Sequence, residues 1–281
     1  MKKTVYEIIL DKIVNDIETK KVLPWNKPWT MDSMPQNFVT KHKYRGINFL
    51  LLINKFNSPY WVTYNQLKKL NGKIKDGESK NYTIITYYKL LAYKNNKDEV
   101  KNTPMFRYYR VYNTDQCEDL TIPESEINDF NTIEKCESII DNMPLRPEIK
   151  YDKPMAYYSP SLDYVNIPIM NSFKAEEEYY STLFHELTHS TGHKSRLNRK
   201  TITDCTVFGS TNYSKEELVA EIGASFLCGF SGIENKTIDN SIAYLNSWLA
   251  KFKKDPKLIV QASSQAQKAC DFILNTNKKE N

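Results

Sequence analysis

Apolar positions recur along this chain with two different periods, and the switch between them divides it into elements. At the start, MKKTVYEIILDKIVNDI sets Ile9, Ile13 and Ile17 four residues apart, the spacing that gathers side chains on one face of a helix. Glu7, Asp11 and Asp16 interrupt the apolar run that an export signal would need. A short helix is predicted from Tyr64 to Leu70, stopped near Gly72 and followed by a turn at Asp76-Gly77. NYTIITYY (81–88) and FRYYRVYN (106–113) are dense in β-branched and aromatic residues. They predict two strands of a hairpin, with the polar stretch KNNKDEVKNTP as its loop.

Residues 121–147 begin and end in prolines and hold one helix-like run, IEKCESII, so they read as a connector. AYYSPSLDYVNIP (156–168) predicts two short strands. A helix follows from near Ser172. Glu176, Glu177 and Glu178 fall in its first turns, where the helix dipole favours negative charge, and Gly192 suits a left-handed cap at its end. KEELVAEIGASFLCGF, capped by Ser214, then IAYLNSWLAKFK and IVQASSQAQKACDFIL predict three more helices. The expected class is α+β in two domains. An N-terminal α/β domain spans 1–125, a connector 126–147, and a mainly helical domain with a small β element 148–281.

Charge sharpens this division. Of the net +5, residues 1–120 carry 21 Lys and Arg against 12 Asp and Glu, and residues 121–281 carry 18 against 22. The basic half is also the more aromatic, a combination that suits a polyanion partner. No apolar run is long enough to span a membrane. Five cysteines, Cys117, Cys136, Cys205, Cys228 and Cys270, are widely spaced and form no CxxC pair. They indicate neither a disulfide framework nor a zinc ribbon, and fit a reducing cytoplasm.

The strongest chemical signal is TLFHELTHSTGH, residues 182–193, an HExxH motif on a predicted helix. Positions i and i+4 share a helix face, so His185 and His189 can reach one metal ion, and Glu186 beside them can take a proton from its water. Zn²⁺ is the expected ion, with Mn²⁺ as the alternative. A metzincin third ligand would fall at Ser195, which fails, and His193 comes two residues too early. His193 and Asp204 stay open as lesser candidates. Better placed is the helix carrying Glu217 and Glu221, whose spacing resembles the E-x-x-x-D arrangement of gluzincin metallopeptidases. Glu217 is taken as the ligand, with Glu221 orienting a histidine. Glu216 reads as a solvated residue near the helix start, and Tyr213 as a candidate oxyanion stabiliser.

Single-stranded nucleic acid is held by basic grooves with aromatic platforms. Candidates in the basic half are Trp25, Trp29, Tyr44, Arg45, Trp61, Tyr64, Arg107, Tyr109 and Arg110.

From Val5 to Asn275 the chain also resembles the ArdC-type antirestriction proteins of mobile elements. The match rests on PWNKPW, PQN, YRGIN, WVTYNQ, GKIKDGE and VYNTDQ, then on LDYVNIP, YYSTLFHELTHSTGH, EELVAEIGASFL, YLNSWL and ASSQAQKACDFI. Ser190 stands where related sequences often have Trp. The resemblance implies an N-terminal domain that binds single-stranded DNA, a C-terminal zincin-like metallopeptidase domain, and protection of incoming DNA from host restriction. A protein substrate or a host restriction component is a further expected partner. Two other readings stay open: a cytosolic zinc protease brought to DNA-associated proteins, and a DNA-binding protein whose metal domain is purely structural.

Overall fold

The computed structural model describes residues 3–21, 23–26, 34–53, 56, 58–94, 100–122, 132–203, 211–233 and 242–276. Its contacts divide the chain into two units, Met1–Asn15 with Ser33–Ser125, and Asp16–Asp32 with Glu126–Asn281. Trp29, Asp204 and Cys205 lie outside the described residues, as does the side chain of Tyr213. Among the described residues no helix is long and apolar enough to cross a membrane. Helix α1, Val5–Lys20, follows the four-residue pattern, and Ile9, Ile13 and Ile17 are all buried.

In the first unit, strands β1 (Gln36–Asn37) and β2 (Tyr60–Val62) are parallel. Between them lies α2, Ile47–Leu52. Helix α3, Tyr64–Lys69, opens on a reciprocal cap. Thr63 Oγ1 accepts the Gln66 N–H, and the Gln66 side chain accepts the Thr63 N–H. β3 (Lys73–Ile74) pairs with β6 (Cys117–Glu118), and the turn that follows β3 places Gly77 at φ 83°, which a glycine adopts without strain. β4 (Thr83–Lys94) and β5 (Val100–Asn113) form a long antiparallel ribbon that completes the sheet order β1-β2-β5-β4.

The ribbon is longer than expected. Much of the polar stretch 94–104 is strand, paired across to β4 as far as Val100 opposite Lys94. Its pairing partner, not its own composition, makes it extended. The core under the ribbon's base gathers Tyr44, Leu52, Trp61 and Val111, with Val62, Leu67, Tyr112 and Cys117 beside them.

The second unit contains α4 (Thr132–Asp141), so the stretch expected as a connector packs as part of it. Cys136, Ile139, Ile140 and Met143 are buried. β7 (Glu148–Lys150), β8 (Tyr157–Ser159) and β9 (Tyr164–Asn166) form a sheet of order β7-β9-β8. Then come α5 (Glu176–Ser190), α6 (Lys200–Thr203), α7 (Thr211–Ser231), α8 (Ile242–Lys254) and α9 (Leu258–Ile273).

Helix α5 packs on α7, and α7 on α9. A Cβ at Gly223 would meet Thr188 Cγ2 at 2.6 Å, so α5 and α7 approach closely because that position has no side chain. Three local expectations change. α5 starts at Glu176, after a 3-10 turn at Met170–Ser172, and α7 starts at Thr211, leaving Ser214 inside the helix. Gly192 is not in the left-handed region. Its smallness serves packing instead, since a Cβ there would meet Ile202 Cγ1 at 2.5 Å.

Candidate metal centre

The centre begins with helix spacing. His185 and His189 sit one turn apart on α5, their rings 4.7 Å between centroids and tilted by 79°. The two Nε2 atoms are 3.1 Å apart. Glu217 on α7 completes a triangle, one oxygen 3.6 Å from His185 Nε2 and the other 3.5 Å from His189 Nε2. A tetrahedral ion with bonds of about 2.0–2.1 Å holds its donors roughly 3.3 Å apart. The two nitrogens, and each nitrogen with the carboxylate oxygen nearest it, are about that far apart, and one donor atom from each of the three residues lies within 4.8 Å of the others. Two facing imidazole nitrogens and a carboxylate form a donor set that a dication neutralises and satisfies together. Among the described residues this is the group of His, Cys, Asp and Glu so arranged. His185 and Glu217 keep part of their surface exposed, which leaves room for water or substrate at a fourth position.

The neighbours fix the ligands. Nδ1 of His189 is buried and lies 3.4 Å from Glu216 Oε1, at ion-pair distance but outside hydrogen-bond geometry; a carboxylate at that place can orient a ligating ring. Burial disfavours a charged His189, but Glu216, Glu186 and Glu217 outweigh it and raise its pKa above the ordinary value. Glu216 itself is 2% exposed, not solvated as expected. Burial would raise its pKa, yet His189 and Arg199 bring it down to about 2. Arg199 donates through Nε to Glu216 at 3.1 Å, through Nη2 to the Thr188 carbonyl at 2.8 Å, and through Nη1 to Thr191 Oγ1. Thr201 donates to the same carboxylate. Arg196 Nε donates to the Ser190 carbonyl at 2.7 Å. Two arginines thus add donors to carbonyls at the end of α5, where the dipole favours cations.

Glu186 is buried and follows His185 on the same helix. Glu221 is one turn beyond Glu217, and His185 and Glu217 are among the charges acting on it. Its hydrogen bonds run to Trp25, whose Nε1 donates at 3.1 Å, and to the Tyr244 hydroxyl. His193 stands outside the triangle, its Nδ1 2.8 Å from Ser195 Oγ and 3.6 Å from Asp163 Oδ2. Sequence reasoning missed Glu216 and Arg199. The three acids of KEELVAE all lie on a helix buried nearly all round, so periodicity could not tell which faces the histidines.

Burial divides the candidate DNA-binding residues. Trp25 is 0% exposed and lies in the second unit; Trp61 is 1% and Tyr44 8% exposed, both in the core of the first. A buried ring has no face for a base, so these three leave the set of stacking platforms. Tyr64, at 52%, and Tyr109, at 44%, are exposed, as are Arg45, Arg107 and Arg110. Arg110 lies over the Tyr82 ring at 4.3 Å. The β4–β5 register sets Tyr87 opposite Arg107 and Lys89 opposite Met105, so alternation gathers Tyr87, Lys89, Arg107 and Tyr109 on one face. The rings of Tyr87 and Tyr109 meet edge-on, 6.4 Å between centroids. Tyr87, not anticipated, was legible as Tyr87-x-Lys89 against Arg107-x-Tyr109.

Residues 3–112 match the family model of the N-terminal domain of anti-restriction factor ArdC, and residues 134–265 that of a zincin-like metallopeptidase. The solved structures of the antirestriction ArdC protein of plasmid R388 are 32% identical to this chain. The metal-free form gives a TM-score of 0.76, covering 96% of this chain and 97% of that one. The Mn(II)-bound form gives 0.77, covering 99% and 100%. A protein named DNA primase TraC of Escherichia coli is 29% identical over all of this chain, which spans only 28% of that relative's length. The Mn(II)-bound structure and the zincin-like match support a divalent metal at the centre.

Proposed function

We propose, for a chain that belongs to the ArdC-type antirestriction proteins, that it binds single-stranded DNA on the ribbon face of Tyr87, Lys89, Arg107 and Tyr109 and protects incoming DNA from restriction. The observation that carries this reading is likeness to a solved antirestriction protein over 97% of that protein's length. On this chain's ribbon face, exposed tyrosines alternate with cations, which suits stacked bases and flanking phosphates. A cytoplasmic setting, with DNA and a host restriction component as partners, follows from that role.

In the second unit we assign the ion to His185, His189 and Glu217, with Zn²⁺ favoured by the two imidazoles and Mn²⁺ as the alternative. When bound, the ion supplies Lewis acidity at the open side of the triangle. Glu216 holds His189 in the tautomer that turns Nε2 toward the triangle, and Glu186 is placed to accept a proton and pass it to a leaving amine. A second reading, peptide hydrolysis of a DNA-associated protein, is favoured by that buried carboxylate beside a partly open donor set.

Two predictions separate the readings. Alanine at both Tyr87 and Tyr109 should weaken single-stranded DNA binding by about 1–3 kcal/mol per lost platform. Arg107→Ala should lower the salt slope by about one. Fluorescence anisotropy across a salt series measures both, and unchanged affinity in the double variant refutes the ribbon assignment. Glu186→Gln should keep metal and DNA binding while any peptide hydrolysis falls roughly 10²–10⁴-fold. In a restriction-protection assay in cells, Glu186→Gln should protect as well as the wild type, and the double-tyrosine variant should not. Protection lost with Glu186→Gln would favour the protease reading.

A further inference from the structure

PWN, the short 3-10 turn at Pro24–Asn26, falls within the stretch matched by the N-terminal family model, yet it lies in the second unit, packed on α7. Leu23 and Trp25 are fully buried there. The Trp25 indole donates its N–H to Glu221 Oε2 at 3.1 Å, and Tyr244 donates to Oε1 of the same carboxylate. The ring has little freedom. Trp248 and Phe252 meet it edge-on at 6.4 and 6.2 Å and are themselves stacked at 5.6 Å.

Glu221 is 8% exposed and one helical turn from Glu217. A buried carboxylate costs folding free energy unless donors hold it. Here the two donors also fix its direction: each oxygen has a partner, so the carboxylate cannot swing towards the ligand set and displace Glu217 or a histidine. Its negative charge meanwhile stays close to the triangle, where it favours a cation. Trp25 contributes something Tyr244 cannot, because the indole is donor-only and can only hold an acceptor.

We infer that Trp25 is a positioning residue of the metal centre: its N–H, acting through Glu221, tunes how tightly His185, His189 and Glu217 hold the ion. The N-terminal stretch of the sequence thus supplies part of the surroundings of a centre whose ligands all come from α5 and α7. This rests on that ligand assignment.

The test is made on the full chain, with Zn²⁺ affinity from chelator competition and the visible absorption spectrum of Co²⁺ as probes. Trp25→Phe keeps the aromatic packing and removes the donor. It should weaken Zn²⁺ binding about tenfold, the low end of what loss of an outer partner costs, and shift the Co²⁺ bands. Tyr244→Phe removes the other donor and should act in the same direction. It also decides the matter if Trp25→Phe fails to fold. A purely structural Trp25 would lower the melting temperature of the metal-free protein and leave both metal readouts unmoved. The inference is overturned if a folded Trp25→Phe protein, or Tyr244→Phe where Trp25→Phe does not fold, binds Zn²⁺ within about twofold of the wild type, well below the outer-partner range, with an unaltered Co²⁺ spectrum. In that case the ligand assignment stands. A wild type that binds no metal, or a His189→Ala variant that binds as well as the wild type, overturns the ligand assignment and this inference with it.

Discussion

Glu217→Ala is expected to abolish stoichiometric metal binding, whereas Glu221→Ala weakens it by about 10–100-fold and still leaves one ion per chain. The difference follows from position on α7. Glu217 closes a triangle with the two Nε2 atoms at 3.5 and 3.6 Å. Glu221, one turn further, has Trp25 and Tyr244 on its carboxylate. Removing Glu217 leaves two imidazoles on a single helix, and two ligands hold a first-row ion far less well than three. Removing Glu221 loosens the surroundings and keeps the donor set. Equilibrium dialysis followed by metal analysis reads both variants, and a Glu217→Ala protein that retains a full equivalent of metal contradicts the assignment.

Arg199→Ala should lower stability by about 3–5 kcal/mol, the range for breaking a buried ion pair by removing one partner. Arg199 is 5% exposed, and its guanidinium serves Glu216, Thr191 and the Thr188 carbonyl at once. Without it, Glu216 keeps a charge that only His189 and the Thr201 hydroxyl face. The Thr188 carbonyl near the end of α5 loses one of its donors as well, keeping those from Thr191. Urea denaturation of the metal-free protein measures the loss. A double variant, Arg199→Met with Glu216→Gln, should recover much of it, because removing both charges costs less than stranding one. A single variant as stable as the wild type would mean that the pair is solvated in solution. Because Glu216 faces His189 Nδ1 at 3.4 Å, the single variant should also bind metal more weakly.

Some of this was legible in the sequence. His185 and His189 fall four apart on a helix whose acidic first turn marks its start, and that local rule needs no tertiary information. The same holds for Ile9, Ile13 and Ile17 on α1. The acids of α7 were harder. Their helix is buried on nearly every side, so hydrophobic periodicity carries no direction, and nothing local to Glu216 signals that Arg199 and His189 surround it. Trp25 failed for a related reason. A tryptophan in a basic, aromatic half can stack on a base or fill a core, and only the chain path, which places it against α7, decides between them. The length of the β4–β5 ribbon depends on pairing across strands, which the polar composition of residues 94–104 hides. Gly192 was misread because a small residue after a helix serves equally as a left-handed cap or as room for a neighbour, here Ile202.

The central claim is that α5 and α7 build one divalent metal centre from His185, His189 and Glu217. Anomalous scattering at the metal edge, from crystals of the full chain grown with Zn²⁺, tests it most directly. The account predicts a single strong peak within bonding distance of both Nε2 atoms and a Glu217 oxygen. A peak bound by Glu221 in place of Glu217, or one away from the two histidines, would contradict it.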